Sequence, residues 1–163
     1  NVMNDRLLLA GMLSSTTLIN RFFPVGQVYK QFYESSENLF DLLQFPDIWA
    51  LGYFKWELEF LATLGFGLDL EKCAVTGSTA DLKFISPKSG RAVSQAGAGE
   101  WSSKLLPFPI AASGQGNSLE DILDGLKVSQ FFLERKVLAA FGMEHLPAAR
   151  LRFISSLEKK IRN

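Results

Sequence analysis

The sequence runs to 163 residues, enough for one domain or one domain with a small subdomain. Apolar residues make up 47% and charged residues 21%, which allows a sizeable core and excludes wholesale disorder. Lysine plus arginine number 17, as do aspartate plus glutamate, so the net charge is zero and a polybasic, histone-like surface is excluded.

Residues 3 to 20 carry Leu7, Leu8, Met12, Leu13 and Ile19 at the spacings of a helix face. Phe22-Phe23-Pro24-Val25-Gly26 ends that pattern, because proline pushes the residue before it out of the α region. A second helix is expected from about Gln27 to Gln44. It buries Val28, Phe32, Leu39, Leu42 and Leu43 and turns Lys30, Glu34, Glu37 and Asp41 outward. Asp47 is placed to cap a third helix over about 48 to 64. That helix is apolar nearly all round, interrupted only by Lys55, Glu57 and Glu59, as expected of a helix inside a bundle. Gly65 supplies its stop.

From Leu70 to about Pro109 the helical periodicity disappears. Leu82 to Ile85 and Ala92-Val93-Ser94 flank the turn residues Ser86-Pro87-Lys88-Ser89-Gly90, which predicts a small hairpin. Ala111 to Asn117 reads as a small-residue linker. Ser118-x-x-Asp121 resembles a capping box and opens a long helix that stops at Gly142. After Leu146-Pro147 a last helix carries Leu151, Phe153, Ile154, Leu157 and Ile161. The fold class is therefore mainly α: a bundle of five or six helices with a small β-hairpin insert. The division is 1–69 for the first part of the bundle, 70–109 for the insert and 110–163 for the second part.

The zero net charge hides a gradient. Residues 1 to 70 hold four basic against eight acidic residues, and residues 71 to 163 hold 13 against 9. Arg150, Arg152, Lys159, Lys160 and Arg162 crowd the last 14 residues against Glu158 alone. Any electrostatic footprint lies toward the C-terminus, the alternative being a solvated helix face.

No catalytic constellation emerges. His145 is the only histidine and stands between a helix stop and Pro147, a surface or capping place. Glu57 and Glu59, two apart, turn to different sides of a helix and cannot share acid/base work. Gly114-Gln115-Gly116 lacks a preceding strand and the full dinucleotide fingerprint, and there is no P-loop. No apolar run approaches a membrane span. Cys73 is the only cysteine, so no intramolecular disulfide can form and a reducing cytosol is the expected compartment. A zinc ribbon would want thiolates at 73 and 76 and a second pair beyond the hairpin, where Thr76, Ser94 and Gly97 stand. Cys73 is then a small buried residue, and no metal or other cofactor is expected. The chain starts at Asn1 rather than Met, as an excised fragment would.

Three segments carry a family resemblance. Phe54-Lys55-Trp56-Glu57-Leu58-Glu59-Phe60-Leu61-Ala62-Thr63-Leu64-Gly65, followed by a short link to Cys73, resembles the central signature of RecO, the bacterial DNA-repair and recombination mediators. Phe84 to Val93 resembles that family's hairpin, and Leu146-Pro147-Ala148-Ala149-Arg150-Leu151-Arg152-Phe153 its C-terminal segment, with Ala149 where serine is usual. The resemblance implies the helical part, enclosing a small zinc-ribbon-like β-hairpin insert, of a protein whose N-terminal OB-fold lies upstream, as is the order in that family. Many also carry four zinc cysteines, of which only Cys73 remains here, so the hairpin is expected to be held by packing of Leu82, Phe84, Ile85 and Val93.

By the same resemblance the function is non-enzymatic. It consists of binding single- and double-stranded DNA, much of it through the OB-fold, partnering RecR, contacting the single-stranded-DNA-binding protein SSB, annealing strands and helping to load RecA. It would take place in the cytoplasm, at the nucleoid. Lys88 and Arg91 on the hairpin, with Arg150, Arg152, Lys159, Lys160 and Arg162, are the candidate phosphate contacts. Lys55, flanked by Phe54 and Trp56, is the candidate seat for the acidic, phenylalanine-terminated SSB tail. Alternatively Lys55 reaches to water and pairs with Glu59. A reading from another class is a helical small-molecule sensor of a transcription regulator, whose 14 Phe, 3 Trp and 3 Tyr would line an apolar pocket.

Overall fold

The computed structural model describes residues 5–23 and 30–163. Helix α1, Arg6–Phe22, begins at Asp5, whose carboxylate accepts from the Leu7 and Leu8 amides at 3.0 and 3.2 Å. Its buried face is Leu7, Leu8, Gly11, Ser14, Ser15, Leu18 and Phe22, whereas Leu13, expected inside, is exposed. The face is built on small residues because α1 lies close against the last helix and against Trp49. A Cβ on Gly11 would stand 2.2 Å from the Trp49 ring.

Helix α2, Lys30–Asp41, buries Phe32, Ser36 and Leu39 and ends in a 3₁₀ turn, Leu42–Gln44. Lys30, Glu34, Glu37 and Asp41 face outward as expected, while Leu42 and Leu43 are only half-buried. The expected start at Gln27 and burial of Val28 lie outside the described residues.

Helix α3, Pro46–Thr63, is the central element. Its cap position is Phe45, with Pro46 at the first helical place, so Asp47 lies inside the first turn and caps nothing. Proline's fixed φ starts the helix two residues before an Asp47 cap would. Trp49, Tyr53, Phe54, Trp56, Phe60 and Leu61 are buried, and the rings of Trp49, Tyr53, Trp56 and Phe60 touch in succession along one stripe of the helix. At its end the Phe66 amide donates to Leu61 and the Gly65 amide to Ala62, with Gly65 at φ +96°. This Schellman turn needs a residue free to be left-handed.

The insert is richer than expected. Strands β1, Leu82–Ile85, and β2, Ala92–Ser94, pair antiparallel at the expected residues, with Phe84 opposite Val93 and Ile85 opposite Ala92. A two-residue edge strand, β3, Leu106–Pro107, completes the sheet in the order β2-β1-β3. Proline is tolerated there because an edge strand needs no donor on its open side. A short helix α4, Gln95–Ala98, and a 3₁₀ turn, Gly99–Lys104, lie between β2 and β3. Ile85 joins the main core, while Val93, Cys73 and Ala98 form a small second core with Leu82, Phe84 and Leu105 against it.

Helix α5, Leu119–Phe132, opens on the expected capping box of Ser118 and Asp121. It runs through a π turn, Leu133–Val137, into α6, Leu138–Phe141, and stops at Gly142. The long helix is thus continuous but carries one wide turn. The last helix, α7, Ala148–Arg162, buries Ala149, Arg150, Phe153, Ile154 and Leu157. Its apolar stripe is shifted from the expected one: Leu151 is exposed and Arg150 is inside. The aromatic residues fill the core against one another, as in the edge-on pairs Phe22–Phe60 and Trp49–Phe153. No helix among the described residues is long and apolar enough to cross a membrane.

Candidate nucleic-acid interface

The seven candidate phosphate contacts do not share one environment. Arg150 is fully buried, and its guanidinium is used up by the protein. Its Nε and Nη2 donate to the two Glu57 carboxylate oxygens at 3.0 and 2.7 Å, its Nη1 to Gln130 at 2.9 Å, and Nη2 also to the Leu126 carbonyl at 3.0 Å. Glu57, equally buried, also accepts from Tyr53 at 2.9 Å and from Ser129 at 2.6 Å. Since the Tyr53 proton goes to Glu57, the Ser14 hydroxyl, 2.6 Å away, donates to Tyr53. Four helices, α1, α3, α5 and α7, thus meet at one polar cluster. Burial and the Glu57 carboxylate push the Tyr53 hydroxyl well above its ordinary pKa. Burial works against the Arg150 charge, but Glu57 more than offsets it and holds the guanidinium above its ordinary value. Arg150 is therefore not a phosphate contact.

The other six are at or near the surface. Arg152, Lys159, Lys160 and Arg162 are exposed on α7. Lys159 and Lys160 border an open cleft of about 700 Å³ together with Arg6 of α1, a residue the charge gradient along the chain did not single out. Lys88 stands exposed at the hairpin tip; Arg91 is half-buried, with Asp69 at 3.9 Å. The docked tip sets Lys88 on the same cleft as Lys136 of the π turn, which nothing in the local sequence marks.

The candidate tail seat is not assembled. Lys55 is exposed, but Phe54 and Trp56 point into the core. Phe54 packs against Gly125 of α5, and the Trp56 indole donates to Ser36 at 3.0 Å. On α3 both apolar neighbours of Lys55 turn inward, because that helix is wrapped by α1, α2 and α5. No ion pair joins Lys55 to Glu59.

The four positions of a zinc ribbon do converge. The Cys73 sulfur accepts from the amides of Val75 and Thr76 at 3.4 Å each, from the Ser94 amide at 3.2 Å and from the Ser94 hydroxyl at 3.4 Å. A Cβ on Gly97 would lie 2.8 Å from that sulfur. Burial pushes the thiol up, but the bonds from Ser94 and Thr76 outweigh it and bring the pKa to about 6. One thiolate, two hydroxyls and a glycine are not a zinc donor set. His145 is exposed, beside Glu144.

The chain matches the family described as recombination protein O C terminal over residues 3–143. It is 44% identical over 160 residues to the DNA repair protein RecO of Ruegeria sp. (strain TM1040), covering 98% of this chain and 66% of that protein. The RecO protein of Jannaschia sp. (strain CCS1) is likewise 44% identical, with 98% and 65% covered. That of Roseobacter denitrificans is 39% identical, with 98% and 66% covered. The chain thus spans slightly less than two thirds of the length of these relatives. No solved structure gives a significant match. With the family matched over residues 3–143, which hold the signature helix and the hairpin, and with relatives 44% identical over 98% of its length, the chain belongs to the RecO family.

Proposed function

We propose that this chain is the helical part of a non-enzymatic DNA-repair and recombination mediator of the RecF pathway. It binds single- and double-stranded DNA together with an upstream OB-fold, contacts the SSB tail, and cooperates with RecR in strand annealing and RecA loading. Membership of the RecO family carries this reading. The exposed bases Arg6, Lys159 and Lys160, gathered where α1 begins and α7 ends, support it: they outnumber Asp5, the acidic side chain that lines the same cleft, and bases so grouped give affinity for phosphate without sequence choice. An apolar cleft of about 400 Å³ between α1 and α2, lined by Ile19, Phe32, Tyr33 and Phe40, has room for the phenylalanine ring of the tail, but Glu37 lines it too and no base does, so it meets only the apolar half of the tail's chemistry. The insert folds without zinc, on the packing around Cys73 and Val93.

Titration of a fluorescent oligothymidine with this chain at several salt concentrations tests the reading. Binding should weaken steeply with salt, and Lys159→Glu with Lys160→Glu should lower affinity about tenfold and flatten the salt slope. An oligonucleotide that does not bind would refute a role for this part in DNA contact.

A further inference from the structure

The hairpin tip does not project into solvent. Gly90, left-handed at φ +70°, lies where a Cβ would be 3.0 Å from Leu68 and 3.7 Å from the Phe132 ring, so the tip is docked on the helical body. The docking leaves a cleft of about 210 Å³ between the tip, the glycine link after α3 and the π turn. Phe66, Lys88, Ser89 and Lys136 line it, and no carboxylate does. Neither lysine has an ion-pair partner among the described residues. Glu134, the acid in the same π turn, is outside the cleft and accepts from Gln130 at 3.0 Å.

Lys136 is only half-exposed. A π turn adds one residue to the winding and resets the direction of the side chains within it, a device often found at functional sites. Here it sets Lys136 on the wall of the same cleft as Lys88, a residue 48 positions earlier in the chain. Two cations bordering one small cleft repel each other unless an anion lies between them.

We propose that this cleft seats one backbone phosphate of a single nucleic-acid strand, held between Lys88 and Lys136, with the Phe66 ring as the apolar wall for the adjoining sugar or base. The proposal rests on the DNA-binding reading above and gives it a second, separate contact. A phosphodiester suits the cleft because two ammonium groups and no carboxylate line it, with the Phe66 ring beside them for the sugar or base that adjoins the phosphate. Of the neighbouring bases in sequence, Arg135 on the same turn lies over the Phe131 ring at 5.7 Å, and Arg91 on the hairpin is engaged with Asp69 at 3.9 Å.

Oligothymidine titrations of the full 163-residue chain with Lys88→Ala, Lys136→Ala and both together test the proposal, with melting curves to show that the fold is kept. Each single variant should weaken binding about threefold to tenfold and lower the salt slope by about 0.7. The double variant should lose less than the product of the two, because the lysines hold one phosphate. Lys136→Arg should keep most of the affinity. If the lysine variants bind like wild type while Lys159→Glu with Lys160→Glu weakens binding, the cleft proposal is wrong and the DNA reading stands. If wild type binds no oligonucleotide, both fall. Displacement of the strand by millimolar inorganic phosphate at constant ionic strength would mark a free-phosphate site and overturn the proposal. So would variants that lose only an acidic, phenylalanine-terminated peptide.

Discussion

Arg150 and Glu57 stand 93 residues apart in the chain and meet in a two-pronged ion pair at 2.7 and 3.0 Å, both fully buried. The pair stabilises the fold only because every other polar atom around it is also satisfied: Tyr53, Ser129, Gln130 and the Leu126 carbonyl complete the shell, and Ser14 completes Tyr53. No buried polar side-chain atom among the described residues lacks a partner.

Removing one half of that pair should be costly. Arg150→Met leaves the Glu57 carboxylate buried and unpaired and should destabilise the protein by about 3–5 kcal/mol in urea unfolding. Combining it with Glu57→Leu should restore a large part of that loss, because no charge is then stranded. A double variant as unstable as the single one would show that the surrounding hydroxyls, rather than the pair, set the cost.

Gly11→Ala should also destabilise, although alanine is the better helix former by about 1 kcal/mol. The new methyl would fall 2.2 Å from the Trp49 ring, which cannot retreat because its indole donates to the Leu39 carbonyl at 2.9 Å. Overpacking of this kind costs about 1–3 kcal/mol. A lower midpoint of thermal or urea unfolding checks it; an unchanged midpoint would mean that α1 can slide away from α3.

Cys73 should couple stability to pH. Its folded pKa of about 6 lies below the ordinary 9.0, so between those values the unfolded chain binds a proton that the folded chain does not. Stability should therefore rise as pH is raised from about 6 toward about 9, level off above, and lose this contribution as pH falls through about 6. Urea midpoints across that window measure it, and Cys73→Ser should flatten the slope. A wild-type slope no steeper than that of Cys73→Ser would show that the thiol is not ionised in the fold.

Restoring the thiolates should restore a metal centre. Thr76→Cys, Ser94→Cys and Gly97→Cys together place four sulfurs at ribbon spacing around the place where Cys73 already gathers its donors. Metal analysis should find one zinc per chain in the triple variant, with a raised melting point that chelation removes, and no stoichiometric zinc in wild type. Zinc in wild type would contradict the reading of the insert.

Local chemistry was enough to foresee much of the architecture. The hairpin residues, the Ser118 capping box, the Gly65 and Gly142 stops and the central place of α3 all follow from turn residues, caps and an apolar surface too wide for one neighbour. The three signature segments likewise pointed to the family from residues alone.

What the sequence could not express is the direction in which a charged side chain faces when its partner is distant. Arg150 sits in a run of exposed bases and looks like one of them; only the packing of α7 against α3 and α5 brings it to Glu57, Gln130 and the Leu126 carbonyl. Phe54 and Trp56 adjoin Lys55 in sequence, but the neighbours wrapped around α3 decide that both rings turn inward while the lysine turns out. The placing of Lys88 and Lys136 on one cleft is of the same kind, made by a docked hairpin and one extra residue in a helical turn. Periodicity reports what a residue prefers to avoid, which is water or hydrocarbon. A buried charge violates that preference, and it survives only through contacts that the chain makes after it has folded.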